Sequence, residues 1–442
     1  MAEGADGMKP QIQHNGNISI AHFSWEYPPK IWGGLGTFAT ELTKQQKLTG
    51  HNVSVYAVND GNRFEQFHEW NGISVYRPKI IDFTDSLPII SNKDLQQWGD
   101  HLSFFSTVLS YNILSASKLV ENISNPSQPY IDLIDAHDWL GILGGIMAKQ
   151  QINKPLVFHV HSTERGRSGG GGSSTISSIE KHGGKIADGV ITVSFAMKDE
   201  LTELGFPEEK IHVCWNGIDP DKYDPTSIST EKTQQLRHQY GITDDEIFLF
   251  FIGRLVTVKG IMQLIEALPE IVNSNKKVKL VVLGIGDLEE SLKKRVDELN
   301  LQDHVVFRTE FVSEKERILH YAASDIVILP SLYEPFGIVC TEAMSMKKPV
   351  VVGARGVSGM REQIVSEGQD QCGIHINPYD PSDIAWGVNE LLSRRDDWEG
   401  FGENARKRVF ELFTWEKISK RTTEIYRTII QKNDMNVVKA YS

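Results

Sequence analysis

Cysteine is scarce in this chain: Cys214, Cys340 and Cys372 are the only three, an odd number without any CxxC spacing. That excludes a disulfide scaffold, fits a reducing compartment and offers no metal site. Long apolar runs are missing as well. No stretch approaches the ~20 apolar residues that a membrane-spanning helix needs. Residues 1–17 are polar and glycine-rich, with no apolar core of a secretory signal. A cytoplasmic location is the expectation. Surplus positive charge is also absent. A net charge of −12 argues against a nucleic-acid partner. It still admits a nucleotide, whose few charges need only local donors. No internal repeat is sustained. What is present is an ordinary composition, 40% hydrophobic and 24% charged, over 442 residues, for which two domains are the natural expectation.

Short apolar strands alternate with helical stretches along the chain. Strands are expected over 18–23, 53–58, 73–77, 130–136, 156–161, 189–193 and 211–215, then over 247–252, 279–283, 303–307, 325–329 and 349–352. Helices are expected between them, among others over 37–48, 94–123, 140–150, 196–204, 261–271, 314–323, 382–392 and 415–431. This alternation predicts an α/β protein with two doubly wound, Rossmann-like domains and a cleft between them. The expected divisions are a polar tail at 1–17, a first domain at 18–219, a linker at 220–245, a second domain at 246–414, and a last helix at 415–432.

Chemistry gathers where strands end. After the strand 325–329, Pro330 and Ser331 stop the ladder. A loop then carries Glu334 and Pro335, and Gly337 opens a helix bearing Glu342. Backbone N–H groups of Phe336, Gly337 and Ile338 fall at that helix start, where an anion is favoured. After the strand 247–252 come Arg254 and Lys259, two cations placed as a diphosphate needs. Gly33 and Gly34 follow the first strand, either as a plain tight turn or as a backbone approach to phosphate. Asp138, within His137-Asp138-Trp139, either caps the next helix or faces the cleft. His159 and His161 share one strand face, and His161 stands at the ligand edge. The run from Glu164 through Gly169–Gly172 to Ser174 is a flexible connector or a mobile flap in which Arg165 and Arg167 meet a ligand.

The stretch Pro330-Ser331-x-x-Glu334-Pro335-Phe336-Gly337, with Glu342 eight positions after Glu334, resembles the E-x7-E motif of retaining nucleotide-sugar glycosyltransferases of the GT-B fold. It looks most like the glycogen and starch synthases and their sister "group 1" family. The resemblance runs over about residues 18–432. Gly33-Gly34 is similar to the K-x-G-G-L loop, although Lys30 stands one residue further from the glycines than in that pattern. Arg254 and Lys259 match the G-R-x…K-G motif. Ser358-Gly359 stands where the family usually has two glycines. The resemblance implies a hexose donor carried by a nucleoside diphosphate, UDP- or ADP-glucose, and transfer with α configuration. It implies that Glu334, His161, Arg254 and Lys259 serve the reaction. Gly33, Gly34, Phe336, Gly337, Ile338, Glu342, Ser358 and Gly359 would bind the donor, and Asp138 would face the acceptor. No cofactor and no metal are implied. An α-glucan synthase is the first expectation. A sister enzyme with a small-molecule or lipid acceptor is the alternative, and a catalytically silent sugar-nucleotide-binding protein the remote one.

Overall fold

The computed structural model describes residues 16–87, 93, 97–98, 101–125 and 130–441. Two sheets organise them. The first contains β1 (Ser19–Phe23), β2 (Asn52–Tyr56), β3 (Phe67–Trp70), β4 (Ile73–Tyr76), β5 (Leu133–His137), β6 (Leu156–Val160), β7 (Gly189–Thr192) and β8 (Ile211–Val213), in the order β3-β4-β2-β1-β5-β6-β7-β8. Only β3 runs antiparallel to its neighbour. The second contains β9 (Ile247–Ile252), β10 (Val278–Leu283), β11 (Val305–Arg308), β12 (Ile326–Leu329), β13 (Val350–Gly353) and β14 (Gly373–Ile376), in the order β11-β10-β9-β12-β13-β14. This is the GT-B architecture of two Rossmann-like halves. Each sheet grows outward from its first strand and then reverses. The reversals fall between β1 and β5, and between β9 and β12. A doubly wound sheet binds its ligand beyond the strand ends at such a reversal.

The strand sequences explain the layering. β9 reads IFLFFI and β12 reads IVIL, and every residue of both is buried. Continuous apolar strands suit a parallel sheet covered by helices on both faces. Those helices are α1 (Gly34–Leu48), α2 (Leu102–Ile123), α3 (Asp138–Ile152), α4 (Glu164–Arg167), α5 (Ser174–Ile186), α6 (Phe195–Glu203) and α7 (Thr230–Gln239), followed by α8 (Ile261–Ser274), α9 (Glu289–Glu298), α10 (Glu314–Ala323), α11 (Ile338–Ser345), α12 (Met360–Gln363), α13 (Pro381–Ser393), α14 (Trp398–Leu412) and α15 (Trp415–Tyr441). Among the described residues no helix is long and apolar enough to cross a membrane. α15 leaves the second half and lies on the first. Its Trp415, Ile418, Ile425 and Tyr426 pack with Ile20, Phe38, Leu133 and Val157.

Several expectations shift. The long helix expected over 94–123 begins at Leu102, and residues 94–96 and 99–100 of it lie outside the described residues. α1 starts at Gly34 rather than at 37, so the paired glycines open the helix itself. The glycine-serine run is shorter than its composition suggests. α5 starts at Ser174, with Ser173 Oγ accepting from Ile176 N–H at 3.3 Å as its N-cap. β3 and β14 were not anticipated.

Candidate functional site

Each sheet delivers loops from its reversal to one cleft, a cavity of about 570 Å³. From the first half come the loop after β1 with Gly33 and Gly34, Asp138 at the start of α3, and His161 after β6. From the second come Arg254 and Lys259 after β9, and Glu334, Phe336, Gly337, Ile338 and Glu342 around the turn between β12 and α11. All of these line the same cavity.

Lys259 is brought to Glu334 by the chain's close approach at Gly260. That glycine has φ +68°, and a Cβ there would lie 1.8 Å from the Pro330 carbonyl oxygen. The N–H groups of Leu332 and Tyr333 donate to Val258 O at 2.8 and 3.2 Å, stitching the two loops together. Lys259 Nζ then donates to Glu334 Oε2, and Ser331 Oγ donates to the same oxygen at 3.2 Å. The pair places a cation and a carboxylate side by side with both side chains largely buried, where charge interactions are strengthened. Arg254 stands exposed on the same wall.

Glu342 is buried in a network of its own. Tyr223 donates to its Oε1 at 2.7 Å and Tyr321 to its Oε2 at 2.8 Å, while Arg317 stands 3.2 Å from Oε1. Three groups therefore hold a carboxylate that offers about four lone-pair sites. Two further donors from a ligand reach Glu342 only if Tyr223 or Arg317 gives way. Neither residue stood out in the sequence, since a tyrosine and an arginine far apart carry no motif.

The first loop contains another occupied site. Glu26 Oε2 accepts from the N–H groups of Trp32 and Gly33, both at 2.9 Å. An internal carboxylate thus sits where those N–H groups would meet a phosphate oxygen. Lys30 is tied to Asp60 and lies 4.4 Å from the centre of the Trp32 ring, and it does not line the cleft. Ser358 and Gly359 also stand behind the wall. Ser358 Oγ donates to Gly353 O, and Gly359 N–H donates to Glu334 O at 2.8 Å. That N–H is committed to holding the Glu334 loop and is not presented to the cavity.

On the first-half wall, Asp138 is not the helix cap. His137 takes that position, and Asp138 adopts φ +51°, a left-handed conformation that aspartate tolerates better than most residues. Its side chain accepts from His161 N–H at 2.8 Å, fixing the end of β6. Burial pushes the Asp138 carboxyl up, against the opposing pull of Arg167. Arg167 donates to Ser162 Oγ at 2.7 Å and lies within 3.4 Å of Glu164 and Glu180. It lines the cleft, whereas Arg165 does not. Asn216, in the turn after β8, also lines the cleft, and its Oδ1 is buried without a hydrogen-bond partner. A buried acceptor left unmet on a cavity wall suits a ligand hydroxyl or N–H.

Behind His161 the histidine rings continue inward. His159 and His161 stack with centroids 4.8 Å apart. Among the described residues one trio of ligand atoms lies close enough for a cation, on His22, Asp135 and His137, within 4.8 Å of one another. His22 Nδ1 and His137 Nε2 are already hydrogen-bonded to each other at 3.2 Å. The trio is therefore a hydrogen-bonded cluster.

A family model described as Glycosyl transferases group 1 matches residues 232–408, and one described as Glycosyltransferase Family 4 matches residues 32–222. An uncharacterized glycosyltransferase of Methanocaldococcus jannaschii is 35% identical over 422 residues, covering 94% of this chain and 99% of its own length. A glycogen synthase of Mycobacterium tuberculosis is 27% identical, covering 92% of this chain and 94% of its own. Sucrose-phosphate synthase from Thermosynechococcus elongatus has the same fold, with a TM-score of 0.73 at 21% identity, 94% of this chain and 100% of that one being covered. The catalytic domain of starch synthase IV from Arabidopsis thaliana, bound to ADP and acarbose, follows at 0.71 and 17%, with 94% and 100% covered.

Proposed function

The chain belongs to the group 1 glycosyltransferases of the GT-B fold, and on that premise we propose that it moves glucose from UDP- or ADP-glucose to a hydroxyl of an α-glucan, with retention of the α configuration. The observation that carries this reading is the convergence of Arg254, Lys259 and Glu334 on one cleft wall opposite Asp138 and His161. In the proposed reaction Arg254 and Lys259 take up the charge that grows on the leaving diphosphate. Lys259 trades its contact with Glu334 for one with the diphosphate, and Glu334 is released to hold the sugar and support positive charge at its anomeric carbon. The N–H groups of Phe336, Gly337 and Ile338 at the start of α11 add fixed partial charge on the diphosphate side. The acceptor hydroxyl enters on the Asp138 side and passes its proton to the departing diphosphate. The domain assignment at 18–219 and 246–414 makes the cleft an inter-domain one. The three buried, unpaired cysteines support a reducing, cytoplasmic setting.

A second reading keeps the chemistry and changes the acceptor to a small molecule or a lipid. It is favoured by Ile31 and Trp32, which are 41% and 52% exposed on the cleft rim. A donor screen tests both: UDP-glucose, ADP-glucose, UDP-N-acetylglucosamine and GDP-mannose, with nucleotide release measured with and without glycogen. Glycogen-dependent release from a glucose donor is the expected result. Release without glycogen moves the assignment to the second reading. Silence with every donor, together with tight nucleotide binding in a titration, would overturn both in favour of a binding protein. In the active enzyme, Glu334→Gln and Lys259→Ala are each expected to lower kcat by about 10²–10³, and to lower the melting temperature as well, because each breaks a largely buried ion pair.

A further inference from the structure

Trp32 is 52% exposed on the rim of the cleft, yet its placement is fixed by three anchors. Its N–H donates to Glu26 Oε2 at 2.9 Å. Lys30 Nζ lies over its ring, 4.4 Å from the centre, and the same ammonium donates to Asp60 Oδ2 just beyond β2. The turn before Lys30 is pinned in its own right. Arg77 is buried and donates to Tyr27 O at 3.1 Å and to Pro28 O at 2.6 Å. An exposed tryptophan without such anchors samples several rotamers, and a ligand has to freeze it. Here the loop has ordered it beforehand. Lys30 stands one residue further from Gly33-Gly34 than in the family pattern, with Ile31 and Trp32 between. From that position it braces a ring and stays out of the cleft lining.

Among the described residues no ring and no cation besides Lys30 lies over this indole. Thr37 and Glu41, one helical turn apart on α1, line the same cavity. Thr37 Oγ1 donates its one proton to Gly33 O at 3.2 Å, so toward a ligand it accepts, as the Glu41 carboxylate does. A flat aromatic face beside hydrogen-bond acceptors matches a pyranose. The C–H groups of one sugar face are drawn to the electron-rich face of an indole, and the hydroxyls at the sugar edge donate. An acyl chain would strip water from Thr37 and Glu41 and return no hydrogen bond. The exposure of Ile31 and Trp32 by itself suits either acceptor, and the polar neighbours decide for the sugar. We propose that Trp32, braced by Lys30, is the platform on which a pyranose ring of the acceptor stacks. It belongs to the first half, with Asp138 and His161, and so meets the acceptor rather than the nucleotide. The inference rests on the reading of the acceptor as a glucan, and it adds a residue that grips that glucan.

The test is a titration of ¹⁵N-tryptophan-labelled protein with maltoheptaose, without donor, followed through the indole N–H signals. The chain has nine tryptophans, and Trp32→Phe identifies the Trp32 signal. That signal is expected to move as the sugar binds. Trp32→Ala is expected to weaken maltoheptaose binding about tenfold, and Trp32→Phe, which keeps a ring, by about threefold or less. Lys30→Met removes the brace and is expected to weaken maltoheptaose binding about threefold while leaving the affinity for UDP- and ADP-glucose unchanged. A Trp32 signal that stays in place, or equal binding by Trp32→Ala, would overturn the proposal. So would a loss of donor affinity in Lys30→Met, which would return Lys30 to the diphosphate. A Trp32 signal that moves with dihexanoyl phosphatidylcholine and not with maltoheptaose would overturn it in favour of a lipid acceptor. Binding is read without turnover, so a failed donor screen would sink the proposed transfer and leave this result standing. Glycogen-dependent release beside an unmoved Trp32 signal would sink the platform alone.

Discussion

Glu180, on α5, is 3% exposed, and burial pushes its carboxyl up from 4.5 to about 8, the pull of Arg167 notwithstanding. The sign of the consequence is fixed by linkage. Between 4.5 and about 8 the folded chain holds a proton that the unfolded chain has lost. Stability therefore falls as pH rises through that window and levels off above it. Melting temperatures taken at about pH 5.5 and about pH 8.5 are expected to differ, with the lower value at high pH. Glu180→Gln is expected to narrow the gap by a few degrees, and an unchanged gap would remove Glu180 from the account. At this scale the sequence spoke unevenly. Glu334, Arg254 and Lys259 were legible because they sit in fixed contexts after strands. Glu26, Tyr223, Arg317 and Glu180 were not, because each owes its importance to a partner brought close by the fold. Ser358 and Gly359 were legible as a turn, but only the hydrogen bond from Gly359 N–H to Glu334 O reveals which way that turn faces.

The loop after β12 and the short α4 meet across the cleft. Tyr333 donates its hydroxyl to Glu200 Oε2 at 3.2 Å and accepts from Thr163 N–H at 3.2 Å, and its ring fills the space over Gly166. A Cβ on Gly166 would fall 1.9 Å from the Tyr333 ring. Gly166→Ala is expected to expel the ring and destabilise the protein by about 1–3 kcal/mol in thermal or urea unfolding. On a Tyr333→Ala background the same substitution is expected to cost much less, because the two residues share one contact. Equal losses on both backgrounds would show that α4 itself, rather than the ring, rejects the methyl group. The elements were mostly legible from the 2.0 and 3.6 periodicities. β9 and α10 fall where the pattern puts them, at Ile247–Ile252 and Glu314–Ala323. α5 escaped because serine and glycine dilute its apolar stripe, and β3 because its residues alternate between exposed and half-buried.

Across the whole molecule, Glu362 is a tie between the halves. Its two oxygens accept from Phe195 N–H at 3.1 Å and Ala196 N–H at 2.9 Å, the first donors of α6, and from Trp215 Nε1 at 3.1 Å. A carboxylate at a helix N-terminus satisfies orphan donors and complements the helix dipole. Glu362→Ala is expected to loosen the contact between the halves. Solution X-ray scattering should show a larger radius of gyration that shrinks again when nucleotide is added, and the donor KM should rise more than kcat falls. A scattering curve identical to the wild type would mean that other contacts suffice. The two-sheet plan was legible in the alternation of strands and helices, whereas this tie was not, since it pairs residues from separate halves of the chain.

The contact between Tyr426 and Asp135 joins positions 291 residues apart in the chain. A ribosome adding about 5–20 residues per second needs roughly 15–60 s to pass from one to the other. Throughout that interval Asp135 lacks its hydroxyl donor, and once β8 has been made the first sheet stands without its lid, Ile20, Leu133 and Val157 lacking α15. The nascent chain is thus committed to a long wait with an uncovered apolar face, and its first half is finished only when its last helix has been made.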